Sequence, residues 1–176
     1  KDLGRKVSVA APGAIPGSTA IGQLRVAIES VYSVKHNPIC DSLCLHAISM
    51  FVKNLPECPK LEMECLLNTK TAAAMASLGS VGGGINTATA HHVGGIFDVP
   101  HGDANAIMLP HTMRFNAEAS ADRQALIAQA MGIDTGGMSD YDAAMAAADA
   151  VEDLRVSLGL PGRLRDVMVP EEGLEL

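Results

Sequence analysis

HHVGGIFDVPHGDANAIMLPHTMRFN, residues 91–116, is the stretch that decides the fold. It places three histidines (His91, His92 and His101) within eleven residues, around the glycine pair Gly94–Gly95 and a Pro-His-Gly step. Metal ligation is the first hypothesis such a cluster raises. The stretch also closes the least charged part of the chain, because residues 71–97 contain no Asp, Glu, Lys or Arg. That length suits a bilayer. Its Ala, Gly, Ser, Thr and His content is too polar to insert, so it reads as a tightly packed interior helix pair.

Working outward, the apolar spacing is helical on both sides. Ile85 to Val93 reads as one helix, ended by Gly94–Gly95, and Asp103 reads as the cap of the next, which Pro110 kinks or ends. Upstream, residues 1–17 are irregular, rich in Gly and Pro. Ser18 or Thr19 caps a helix to about Ser33, with Ile21, Leu24, Ala27, Ile28 and Val31 on its buried face. Pro38 opens a second helix to about Asn54, and a third runs from about Leu61 to Leu78. Gly79, Gly82, Gly83 and Gly84 follow a helix, whereas a phosphate loop needs a preceding strand. These glycines therefore read as points of close helix approach. Downstream, helices are expected at about Ser120–Met131 and Asp140–Leu158, and a short one after Pro161. No strand pattern appears after residue 20. The expected fold is an all-α helical bundle over 18–176, with 1–17 as a lead-in.

Composition agrees. The 176 residues are 48% apolar and 19% charged, with no Trp, and Ala, Leu, Met and Gly do the packing. The net charge of −7, with no basic cluster, excludes nucleic acid as a partner. Cys40, Cys44, Cys58 and Cys65 lack the spacing of a zinc site and read as reduced thiols of a cytoplasmic protein. No signal segment is evident.

The histidines have a geometry of their own. His91 lies four residues after Thr87 on the same helix face. A reversal at the glycines brings His101 back beside it, just before the next helix, forming the floor of a cleft. His92 points away by roughly 100° and, like His36, His46 and His111, reads as structural. Two imidazoles make a poor metal site, since a catalytic metal takes about three protein ligands. Asp98 and Asp103 are the nearest carboxylates, with loop bonding and helix capping as their local roles.

The 91–116 run resembles the signature of the iron-containing (group III) alcohol dehydrogenases, and its FD-x-PH portion resembles the maleylacetate reductase branch. The likeness extends to TAIGQLRVAIESVYS (19–33), KHNPICDSLCLHAISMFVKNLP (35–56) and LGLPGRLRDVMVPEEGL (158–174). It implies the helical, metal-bearing C-terminal domain of an oxidoreductase. It also implies an N-terminal α/β domain that binds NAD or NADP and is absent from these residues. The chain therefore reads as a fragment or one part of a divided enzyme, with the family's last helices missing.

Carried over residue by residue, the metal-ligand positions are occupied by Gly22, Val26, Thr87 and His101, so only His101 keeps a ligand. His91 matches the family's histidine beside the nicotinamide. Gly22 and Val26 offer no side-chain lone pair, and one imidazole does not hold a divalent ion against water. Iron or zinc is therefore not expected to bind in the usual way. The leading expectation is a metal-free reductase of an oxo acid, with His91 as proton donor and cofactor neighbour and Arg25 supplying positive charge. The alternatives are a catalytically silent domain kept for oligomer contacts or regulation, and an alcohol dehydrogenase that recruits His92, Asp98 or Asp103 to the metal. Expected partners are a small-molecule substrate and further copies of the chain in a homo-oligomer, with no membrane.

Overall fold

The computed structural model describes residues 14–60 and 63–175. Among the described residues seven α-helices follow in order: α1 Ala14–Val31, α2 Pro38–Asn54, α3 Met63–Gly79, α4 Ile85–Phe97, α5 His101–Asn116, α6 Ala121–Ala130 and α7 Asp140–Ser157. Short 3-10 turns cover Leu55–Lys60, Leu164–Val167 and Glu171–Glu175. There is no strand among the described residues, as the helical spacing requires, and none of their helices is long and apolar enough to cross a membrane.

α1 is the central helix. It packs against α2, α3, α5 and α6, and Ile21, Leu24, Ala27, Ile28 and Val31 are all fully buried. Each large aliphatic side chain of that stripe contributes about 1.5–3 kcal/mol by leaving water. Phe51 is the one aromatic fully buried among the described residues. α7 instead buries Ala143, Ala144, Ala147 and Ala148, small side chains that let helix axes approach closely. A second, smaller core of Ala90, Val93, Val99, Ala104 and Val169 ties the α4–α5 hairpin to the C-terminal segment.

Several boundaries differ from those expected. The lead-in ends earlier: residues 14–17 are helical, and Pro16 fits because the first turn of a helix has no intrahelical partner for its N–H groups. Residues 1–13 lie outside the described residues. α4 does not stop at Gly94–Gly95 but runs through both to Phe97. Gly94 serves proximity, since a Cβ there would stand 3.3 Å from the Val99 carbonyl oxygen. The reversal falls on Asp98, which caps α4 in the left-handed region at φ 55°, a conformation that Asp tolerates better than most residues. α5 opens at His101, with Asp103 in its first turn rather than at the cap, and continues across Pro110 to Asn116. α2 opens at Pro38 as expected, and Asn37 caps it, its Oδ1 accepting from the N–H groups of Ile39 and Cys40 at 3.1 and 3.0 Å.

Candidate functional site

Pro100, His101 and Gly102 each have a separate local task. Pro100 ends the connection as the N-cap of α5. Gly102 permits the helix start to cross α1, for a Cβ on it would lie 2.8 Å from Ser18. His101, between them, is turned outward and exposed. Its ring meets that of His91 with centroids 4.8 Å apart and planes inclined by 42°. The expected pairing is therefore present, although the joint that produces it is Asp98–Pro100 rather than the glycine pair. Partial burial, with the positive charge of His91 and of Arg25 close by, lowers the pKa of His101.

Beneath the histidines lies a buried ion pair. Glu29 is 1% exposed. Its Oε2 accepts from Arg25 Nη1 at 3.2 Å and from the Thr87 hydroxyl at 2.5 Å. Its Oε1 accepts the backbone N–H groups of Asn86 at 2.8 Å and Thr87 at 3.3 Å. Glu29 therefore caps α4, whose own N-cap residue, Gly84, offers no side chain. Arg25 Nη1 also donates to Thr87 Oγ1 at 2.5 Å, and Arg25 Nε is buried without an acceptor.

A second network sets the register of α5. Asn86 Nδ2 donates to Asn105 Oδ1 at 2.9 Å, and Asn105 Nδ2 donates to the His101 carbonyl at 2.7 Å. Asn86 and Asn105 are fully buried, and Thr112 joins them by donating to Asn86 Oδ1 at 3.3 Å. A Cβ on Gly22 would lie 3.8 Å from Asn105 Nδ2. Gly22, Thr87 and His101 are therefore drawn toward one place by α1, α4 and α5.

Sequence reasoning passed over Glu29, Asn86 and Asn105. The Arg25–Glu29 spacing of four was a signal for the first, and the Asn-Ala pattern inside an apolar helix was a weak one for the last.

The donor set does not fit a divalent metal. No group of three or more His, Cys, Asp or Glu capable of holding one occurs among the described residues. Val26 and Gly22 supply no ligand atom. Of the substitute ligands, His92 and Asp98 are exposed, and Asp103, its carboxyl pKa raised by burial, sits in the first turn of α5; none of them completes a group of three metal-holding side chains among the described residues. A cavity of about 520 Å³ opens instead between α5 and the C-terminal segment, beside Ile107, Leu164, Val169 and Arg163. None of Gly22, Arg25, Thr87, His91 or His101 lines it.

An all-helical domain built around a Pro-His-Gly turn defines a class. Residues 18–176 match the Fe-containing alcohol dehydrogenase family, C-terminal, and the chain belongs to that family. The 1,3-propanediol dehydrogenase of Citrobacter freundii is 35% identical over 164 residues, which cover 91% of this chain and 42% of that protein. The crystal structure of sulfoacetaldehyde reductase from Bifidobacterium kashiwanohense, in complex with NAD+, superposes with a TM-score of 0.82 at 29% identity, covering 97% of this chain and 44% of that one. Maleylacetate reductase from Rhizobium sp., at 23% identity and a TM-score of 0.81, shares the fold, with 94% of this chain and 45% of that one covered. The chain thus spans less than half the length of these relatives.

Proposed function

We propose that this chain is the helical part of a nicotinamide-dependent oxidoreductase that reduces the carbonyl of a small oxo acid without a bound divalent metal. The observation that carries the reading is the His91–His101 contact, with rings 4.8 Å apart on an exposed wall, directly above a site whose donor set does not suit a metal. The related reductase crystallised with NAD+ and the family membership support nicotinamide as the redox partner.

A reduced nicotinamide, when bound, would supply hydride to the carbonyl carbon as the C=O π pair moves to oxygen. His91, protonated, donates its ring proton to that oxygen, giving the alcohol and the oxidised nicotinamide. Arg25 supplies positive charge beneath the pair, which favours the alkoxide as it develops. His101, whose ring lies against that of His91, helps keep His91 oriented.

The test uses the polypeptide as it exists in the cell. Oxidation of NADH or NADPH by an oxo acid such as pyruvate or maleylacetate is followed after exhaustive chelation, beside elemental analysis. Chelator-resistant turnover is expected. One equivalent of tightly bound metal, with activity lost on its removal, would refute the reading. The competing reading, a catalytically silent domain, is favoured by the same loss of ligands at Gly22 and Val26. A failure to bind any nicotinamide would establish it instead.

A further inference from the structure

We infer that the guanidinium of Arg25, clamped by Glu29 and Thr87, is a built-in cation standing where the family resemblance puts the divalent ion, and that Glu29 and Thr87 are its positioning residues. The chemical part of this inference rests on the metal-independent reading above. Its structural part, occupancy of the place by Arg25, does not.

Three observations converge on it. The first is location. Thr87 occupies one of the lost ligand positions, and Arg25 Nη1 reaches its hydroxyl at 2.5 Å. The guanidinium therefore extends to the position a ligand would hold, on the side of α1 that carries Gly22 one turn earlier. The second is fixation. Glu29 is held at both oxygens, Oε1 by two backbone N–H groups of α4 and Oε2 by Arg25 and Thr87. A carboxylate tied to a helix terminus is unable to swing outward with its partner, so Arg25 inherits a fixed address. The third is clearance. A Cβ on Gly83 would stand 2.6 Å from Thr87 Oγ1, and one on Gly84 would stand 2.6 Å from Glu29 Oε1. Two successive glycines thus leave the backbone bare where the ion pair lies against it.

The charge is also incompletely used. Among the described residues Arg25 donates only through Nη1, and its Nε is buried without a partner. A metal needs lone pairs from several ligands. A guanidinium needs one carboxylate and keeps its remaining N–H groups for a second anion. It also repels a second cation at short range. Loss of the ligands and presence of Arg25 are therefore two sides of one arrangement.

The experiment has an arm for each part. Gly22→Asp and Val26→His together restore donors beside His101 while Thr87 goes on holding Arg25, and zinc is titrated into the intact protein carrying these changes, with Arg25 kept and with Arg25→Met added. Zinc affinity is expected to be at least about tenfold tighter without Arg25, from relief of like-charge repulsion. Equal affinities would overturn the occupancy claim. Should the substituted proteins fail to fold, as judged by circular dichroism, a zinc-soaked crystal of the unaltered protein decides it. Guanidinium density in contact with both Glu29 and Thr87 supports the claim, and an anomalous zinc peak beside His101 overturns it.

The second arm is turnover. Glu29→Gln keeps an acceptor for the α4 N–H groups while removing the charge that fixes Arg25. In a folded variant, kcat is expected to fall about tenfold with KM for the nicotinamide unchanged. An unchanged kcat would confine the ion pair to a structural role. If the unaltered protein turns over no substrate at all, the functional reading fails, and the zinc arm still decides the occupancy claim.

Discussion

Glu29 caps a helix 57 residues away, its Oε1 accepting the backbone N–H of Asn86 at 2.8 Å. One carboxylate, with 1% of its residue exposed, thereby joins α1 to the start of α4 and holds Arg25 in place. Removing one member of a buried ion pair costs more than the pair contributes, because the remaining charge is left without compensation. Glu29→Ala, which also uncaps α4, is expected to lower stability by about 3–5 kcal/mol, read by urea denaturation. Thr87→Val, which removes one hydroxyl and leaves the ion pair in place, is expected to cost about 1–2 kcal/mol. The reverse order would mean that the cluster is hydrated and weak.

Glycines that look alike in the sequence should separate cleanly on substitution. A Cβ on Gly84 would press on the Glu29 carboxylate at 2.6 Å, whereas one on Gly95 meets nothing within 4 Å. Gly84→Ala is therefore expected to destabilise by about 1–3 kcal/mol. Gly95→Ala, within α4, is expected to stabilise by about 0.5–1 kcal/mol through helix propensity. Thermal melts of the two proteins test the contrast.

These glycines also mark how far the sequence could be read. Helices were legible wherever an apolar stripe followed a helix-opening residue, as from Pro38 through Phe51. The His91–His101 pairing was legible because the two flank a short connection. The joint itself was not, because Gly94–Gly95 carries the same local signal whether it ends a helix or lets a neighbouring strand of chain pass close to it. The choice is made by the Val99 carbonyl, a tertiary neighbour. Glu29 stayed hidden for a related reason: a Glu four residues after an Arg reads as a solvated surface pair, and nothing local shows that the start of α4 covers it.

Acid should weaken a second ion cluster in a defined direction. Arg114 Nη2 lies 2.7 Å from Asp149 Oδ1 and 2.5 Å from Glu152 Oε2, and its hydrogen bond holds the Glu152 carboxyl below the ordinary value of 4.5. A carboxylate whose pKa is depressed on folding contributes stability above its unfolded value, and loses it as pH falls through the folded one. Because Glu152 and Asp149 are 39% and 64% exposed, solvent screens the cluster to about 1 kcal/mol or less. Arg114→Met is expected to cost that amount at pH 7 and nothing measurable near pH 2. A cost that persists at the lower pH would assign Arg114 to packing instead.

Buried thiols give a probe that needs no substrate. Burial, with Cys40 beside it, pushes the Cys44 thiol up to about 12, and Cys40 and Cys44 are 1% and 0% exposed. Reaction requires the thiolate and access to it. Iodoacetamide at pH 8 is expected to label half-exposed Cys65 within minutes and to leave Cys40 and Cys44 unmodified until urea is added, as read by peptide mass spectrometry. Labelling of Cys44 in the native protein would show that α2 separates readily from α3 and Gly79, whose Cβ position lies 2.8 Å from its sulfur.

The two adjacent histidines supply the sharpest functional contrast, because they share a backbone and differ in direction. His91 meets His101, whereas exposed His92 makes no hydrogen bond among the described residues. If His91 delivers the proton, His91→Gln is expected to lower kcat by about 10²- to 10³-fold, the range for loss of a general acid. KM for the nicotinamide should change little, since a glutamine amide retains some of the polar contact. His92→Gln should leave both unchanged. His101→Gln should fall between them, because it removes the neighbour whose ring orients His91. Equal, small effects of all three substitutions would move proton delivery away from this wall, to solvent or to the substrate's own carboxyl. A loss confined to His101→Gln, cured by added zinc, would instead return the site to metal chemistry.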